Sequence, residues 1–143
     1  MTVIDPHKDD RISSRKAEKR IATEPANKKI RIVFNGQVIA ESDQALIYHE
    51  TGVGSLYYIP RSKVRDEFLT QTDHTTYCPY KGDAHYWTIT VGDKVAENAM
   101  WAYPEIYDDY SPEIDGWVSF YTNKVNQYVF ESEPFAEARQ AAE

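Results

Sequence analysis

With only one cysteine, Cys78, in 143 residues, the chain cannot close an internal disulfide, which fits a reducing compartment. Nowhere does an apolar run approach the roughly 18 residues that a membrane-spanning helix needs. The opening MTVIDPHKDD lacks the apolar stretch of a secretory leader. The expected address is therefore the cytoplasm, with no membrane partner. There is no Walker loop, no dinucleotide fingerprint and no internal repeat. Positive charge is also missing from most of the chain. Residues 32–143 hold seven Lys/Arg against eighteen Asp/Glu, whereas residues 1–31 hold nine against five. A body so acidic repels phosphate backbones, so no nucleic-acid partner is expected.

What the chain does have is aromatic side chains: eleven Tyr, five Phe and three Trp, a set that favours strands over helices. Hydrophobic residues make up 41% and charged residues 27%, an ordinary mixture for one globular domain of this length. Residues 1–28 are polar and aperiodic and read as a flexible basic arm. From Ile30 the pattern changes. Ile30, Ile32 and Phe34 alternate with Arg31, Val33 and Asn35, a half-buried strand, and Asn35–Gly36 then predicts a tight hairpin into QVIAES.

Further strands are predicted at ALIYHE, LYYIP, TTYCPY, HYWTITV and KVAENAMWAY, and WVSFY with VNQYVFE reads as a last hairpin across TNK. RSKVRDEFL fits a short strand or a helical turn equally. Residues 29–131 thus form a single all-β domain, and 132–143 an Ala/Glu-rich tail with a short C-terminal helix. Eight or nine short strands at this spacing indicate antiparallel sheets packed as a sandwich or barrel.

Six ordered blocks carry a resemblance. They are Val33–Phe34–Asn35–Gly36, then Val38–Ile39–Ala40–Glu41–Ser42 with Ala45–Leu46, then Tyr57–Tyr58–Ile59–Pro60, then Cys78–Pro79–Tyr80–Lys81–Gly82–Asp83–Ala84, then Tyr86–Trp87, and last Asn98–Ala99–Met100–Trp101–Ala102–Tyr103. Together they resemble the Domain of Unknown Function 427 family over about residues 30–130. The resemblance implies a tent-type fold, two antiparallel sheets meeting at an angle. Many tent-type relatives pin their sheets with zinc through paired Cys-x-x-Cys knuckles, and this chain departs from that because Cys78 stands alone.

The family is sometimes labelled nucleotidyltransferase-like, but these residues do not supply that chemistry. Nucleotide transfer needs carboxylates that hold Mg²⁺ together. No Asp-x-Asp follows Gly54–Ser55, and the acidic pairs Asp66–Glu67 and Asp108–Asp109 are adjacent, so on a strand they would point to opposite faces. His74, Cys78 and His85 are spaced by four and seven, which does not match the close pairs of a structural zinc site and leaves only a three-ligand catalytic site, should the turn bring His85 back. No metal and no cofactor are expected.

The corner Cys78–Pro79–Tyr80–Lys81–Gly82–Asp83 is the candidate site. Proline fixes one φ and glycine permits a positive one, so the loop is rigid, with Lys81 at an apex where little can bury it. Three readings stay open. In the first, the corner is the mouth of a pocket between two sheets that binds a small anionic or planar molecule. Its ligand-binding residues are then Tyr58, Tyr80, Lys81, Gly82, Asp83, Trp87 and Trp101. In the second, Cys78 is a catalytic thiolate tuned by Lys81 or His85. In the third, the domain is an interaction module, a homodimer pairing through an edge strand such as ALIYHE or the 117–130 hairpin. Glu50, at the end of its strand, is placed to pair with Arg65 or Lys81 as an exposed ion pair.

Overall fold

The computed structural model describes residues 21–52, 54–107 and 112–131. Ten strands follow one another: β1 (Ile21–Pro25), β2 (Lys28–Phe34), β3 (Gln37–Ser42), β4 (Leu46–Glu50), β5 (Gly54–Tyr58), β6 (Leu69–Cys78), β7 (Gly82–Val91), β8 (Lys94–Ala102), β9 (Val118–Phe120) and β10 (Asn126–Glu131). Every pairing is antiparallel. No helix among these residues is long and apolar enough to cross a membrane.

The all-β architecture is as expected, but hydrogen bonding divides it into three sheets rather than two: β1-β4-β5, β10-β2-β3 and β6-β7-β8-β9. The first and third meet at their edges. The Ile59 amide donates to the Val118 carbonyl at 3.0 Å, and the Val118 amide donates back at 2.9 Å. The β10-β2-β3 sheet packs on one face of this joined assembly. Ile30 and Ile32 of β2 and Ile39 of β3 meet Ile89, Met100 and Val118 there, all essentially fully buried.

The opposite face is buried as well, and strand parity shows how. Along β7, Trp87, Ile89 and Val91 pack into the aliphatic core, while Ala84 and Tyr86 join a second, aromatic cluster. Along β8, Met100 and Ala102 go to the first core, and Trp101 with the following Tyr103 to the second. On β4 and β5 the aromatic side receives Leu46, Tyr48, Leu56 and Tyr58. The period of two that defines a strand therefore sends alternate residues to two different interiors.

Several expectations need correction. Ile21–Pro25, assigned to the 1–28 arm, is a strand: its residues pair with all of β4, from Ile21 opposite Glu50 to Pro25 opposite Leu46. For the same reason ALIYHE is not a free edge, since β4 lies between β1 and β5. The expected 117–130 hairpin does not form either. β9 pairs with β8 and β10 with β2, because the chain turns at residues 121–125 and crosses between sheets. RSKVRDEFL resolves into two 3₁₀ turns, Arg61–Lys63 and Asp66–Phe68. The C-terminal helix expected at 132–143 and the pair Asp108–Asp109 lie outside the described residues.

The Asn35–Gly36 turn forms as anticipated, with φ of 49° and 78°. A Cβ at Gly36 would touch nothing within 4 Å, so strain there is purely conformational. Gly36→Ala is expected to cost about 1–2 kcal/mol through left-handed backbone strain alone. The urea midpoint should fall with the slope of the transition unchanged.

Candidate functional site

The stretch CPYKG forms the β6–β7 hairpin loop. The Lys81 amide donates to the Cys78 carbonyl at 3.1 Å, closing a four-residue turn with Pro79 second. Gly82 follows at φ 104°. A side chain there would press on the Glu105 carbonyl oxygen at 3.2 Å and the Tyr107 ring at 3.3 Å, so residues 105–107 lie directly over the corner. The Tyr107 amide also donates to the Lys81 carbonyl, at 3.3 Å.

Lys81 is not exposed at an apex. It is 7% accessible and turns inward, to Glu50 at the end of β4, which is also 7% accessible. Lys81 Nζ donates to Glu50 Oε1 at 3.3 Å, and the Tyr48 hydroxyl donates to the same oxygen at 2.7 Å. The ammonium also sits 4.6 Å from the Tyr48 ring centre and 5.1 Å from that of Tyr103, so its remaining directions meet aromatic faces. Glu50 thus takes one of its two expected partners, but as a buried pair. The cause is parity: Glu50 is in phase with Leu46 and Tyr48 and shares their inward face.

In front of this pair lies a cavity of about 380 Å³. Tyr58, Tyr86, Trp101 and Tyr103 wall it, and Tyr121, Thr122 and Asn123 bring exposed side chains to it. Lys81 is the one charged residue among the described residues that line it. Trp101 Nε1 donates to the Tyr58 hydroxyl at 3.1 Å, and the Tyr86 hydroxyl shares a 2.8 Å hydrogen bond with Thr76. The Tyr103 hydroxyl has no hydrogen-bond partner among the described residues, although Tyr103 is only 8% accessible. Burial raises the phenols of Tyr48, Tyr58 and Tyr103 above their ordinary value of 10.0, and the bond to Glu50 raises Tyr48 further. Tyr121 is pushed up to about 12, chiefly by burial, with the neighbouring Tyr86 phenol adding to it.

The structure gathers part of the predicted set. Tyr58, Lys81 and Trp101 line the cavity. Trp87 does not: it faces the aliphatic core, with the Arg61 guanidinium 5.6 Å from its ring centre. Its neighbour Tyr86 has the parity assigned to Trp87. Gly82 and Asp83 begin β7, paired with Cys78 and Tyr77. Asp83 and His85 line a separate recess of about 250 Å³ with Pro104, Glu105 and Tyr107. Tyr80 is half-buried in the loop and is not among the cavity's lining residues. Cys78 is half-buried against the aromatic cluster, and the ammonium expected to tune it makes its ion pair with Glu50.

The His74 ring packs 4.5 Å from that of Tyr86, and His85 Nδ1 lies 3.4 Å from Gln71 Nε2. Among the described residues no three His, Cys, Asp or Glu side chains gather as a metal site. The adjacent acids Asp66 and Glu67 pair separately, with Arg61 at 2.6 Å and Arg65 at 3.1 Å. Tyr86, Tyr103, Tyr121 and Leu56 were missed as cavity residues. A signal for the first was available in the strand period itself.

Two outcomes follow from this geometry. Lys81→Ala removes the ammonium beside a buried carboxylate and is expected to cost about 3–5 kcal/mol, whereas the double variant Lys81→Met with Glu50→Leu recovers most of that loss. Chemical denaturation of the three proteins measures it. In alkali, the unfolded chain ionises its tyrosines near pH 10 while the folded chain holds the protons of Tyr48, Tyr58 and Tyr103. Their stabilisation is complete below pH 10 and drains above it, by up to about 1.4 kcal/mol per pH unit for each group. An absorbance titration should show these three phenolates appearing only with unfolding.

No curated protein matches the chain. The family model described as a domain of unknown function, DUF427, matches residues 22–131, from within β1 to the end of β10. That match takes in every strand and every described residue of the cavity, and the chain belongs to the DUF427 family.

Proposed function

We propose that this domain binds a small planar molecule in the aromatic cavity, with Lys81 and Tyr103 as its polar wall. One observation carries the reading. A concavity of about 380 Å³ is lined by aromatic rings and, among the described residues, a single buried ammonium. Small-molecule sites have this make-up, mostly apolar, with a few polar groups on rigid elements, and commonly span about 300–1,000 Å³. Here the rings sit on β5, β7 and β8 and on the residues directly after β8 and β9, and the ammonium is locked by its carboxylate. Such a site accepts a ligand with little reorganisation, which favours affinity.

The same features speak against a purely structural interior. A core optimised for packing leaves few voids larger than a water molecule and few unpaired hydroxyls. The aliphatic core of this protein fits that description, built from Ile, Val, Ala, Met and Phe. The aromatic side does not.

A thermal-shift panel of planar metabolites tests the proposal on the wild type and on Thr122→Trp, which places a bulky ring at an exposed position of the cavity. Hits are expected to raise the melting temperature of the wild type and to leave the variant unmoved. Equal shifts in both proteins would sink the assignment of the cavity.

A further inference from the structure

Building on that reading, we infer that the ligand is uncharged and carries a carbonyl-type acceptor, as in a planar amide, imide or ring ketone, rather than a carboxylate or phosphate. The first ground is charge balance. Lys81 is matched by Glu50 at 3.3 Å before any ligand arrives, and its other directions face the Tyr48 and Tyr103 rings. An incoming anion would have to share that ammonium with Glu50. Its charge would then lie beside the Glu50 carboxylate within an apolar wall, where like charges repel strongly.

The second ground is the inventory of protons. Tyr103 makes no hydrogen bond among the described residues. The Tyr58 hydroxyl, fully buried, accepts from Trp101, and its own proton has no acceptor among the described residues. Both side chains line the cavity. A buried donor without a partner is costly, and of the two only Tyr103 keeps accessible surface, so its proton calls for lone pairs from outside the chain. The wall therefore presents one neutral phenolic donor, π faces and an ammonium already engaged by a carboxylate. A flat neutral carbonyl compound offers the matching set, lone pairs at its edge and a ring for the aromatics.

The test uses matched pairs of equal shape, benzamide against benzoate and nicotinamide against nicotinate, followed by ligand-observed NMR titration. Wild type, Tyr103→Phe and Thr122→Trp are compared. The amide of each pair is expected to bind the wild type at least about tenfold more tightly than the acid. Tyr103→Phe should weaken the amide by about fivefold, the value of one hydrogen bond, and Thr122→Trp should abolish it. If the acids bind as well as the amides, or Tyr103→Phe binds unchanged, the inference falls, and the loss in Thr122→Trp leaves the binding reading standing. If no probe makes a contact that Thr122→Trp removes, the Tyr103 hydroxyl serves only water, and both fall.

Discussion

The buried pair of Lys81 and Glu50 holds the aromatic side of this domain together. A lysine at the tip of a hairpin ordinarily extends into water, where its ammonium is best solvated. Here the tip of the β6–β7 hairpin folds inward instead, and the ammonium finds a carboxylate at the far end of β4. Desolvating both charges is costly, and their attraction offsets it only because Tyr48 donates to the same carboxylate oxygen and two rings face the ammonium. The pair ties the joined sheets at a point with no backbone ladder between them. It positions the hairpin beneath residues 103–107 and places Tyr103 over the cation.

From this tie follows the unequal character of the two interiors. The aliphatic core between the joined assembly and the β10-β2-β3 sheet is closed by branched side chains whose shapes interlock. The aromatic side has no second sheet to close it. It is filled by side chains carrying hydroxyl and indole groups, which must find hydrogen bonds or go without. Trp101 with Tyr58, and Tyr86 with Thr76, find them. Tyr103 does not among the described residues, and the hollow beside it is what large flat rings leave when they cannot interdigitate. Burial keeps these phenols protonated, so they act as donors throughout the ordinary pH range.

Much of the scaffold was legible from local rules. Asn35–Gly36 falls at a hairpin turn because both of its residues take positive φ. Pro79 and Gly82 mark the corner for the reasons of dihedral freedom that the sequence already shows. Tyr58, Lys81 and Trp101 were readable as a cluster. Errors arose where a residue had two places to go. Trp87 looked like a wall, yet strand parity sends it to the aliphatic core and sends Tyr86 to the cavity. WVSFY and VNQYVFE looked like a hairpin because they are neighbours in sequence. Their partners, β8 and β2, lie in different sheets. IATEP looked like part of an arm because a single edge strand of mixed polarity has no periodic signature.

By itself the sequence determined the strand content, the turns and the acidic surface, since periodicity, φ preference and charge act over a few residues and need no partner. It also offered Lys81, thirty-one positions on, as one of two partners for Glu50, without deciding between it and Arg65 or saying that the pair would be buried. Tertiary structure alone decided that meeting, which of the two sheet faces each aromatic ring would occupy, and the hollow between them. These depend on which strands pair across long separations, where the free energy comes from burying whole faces together rather than from any one residue's preference.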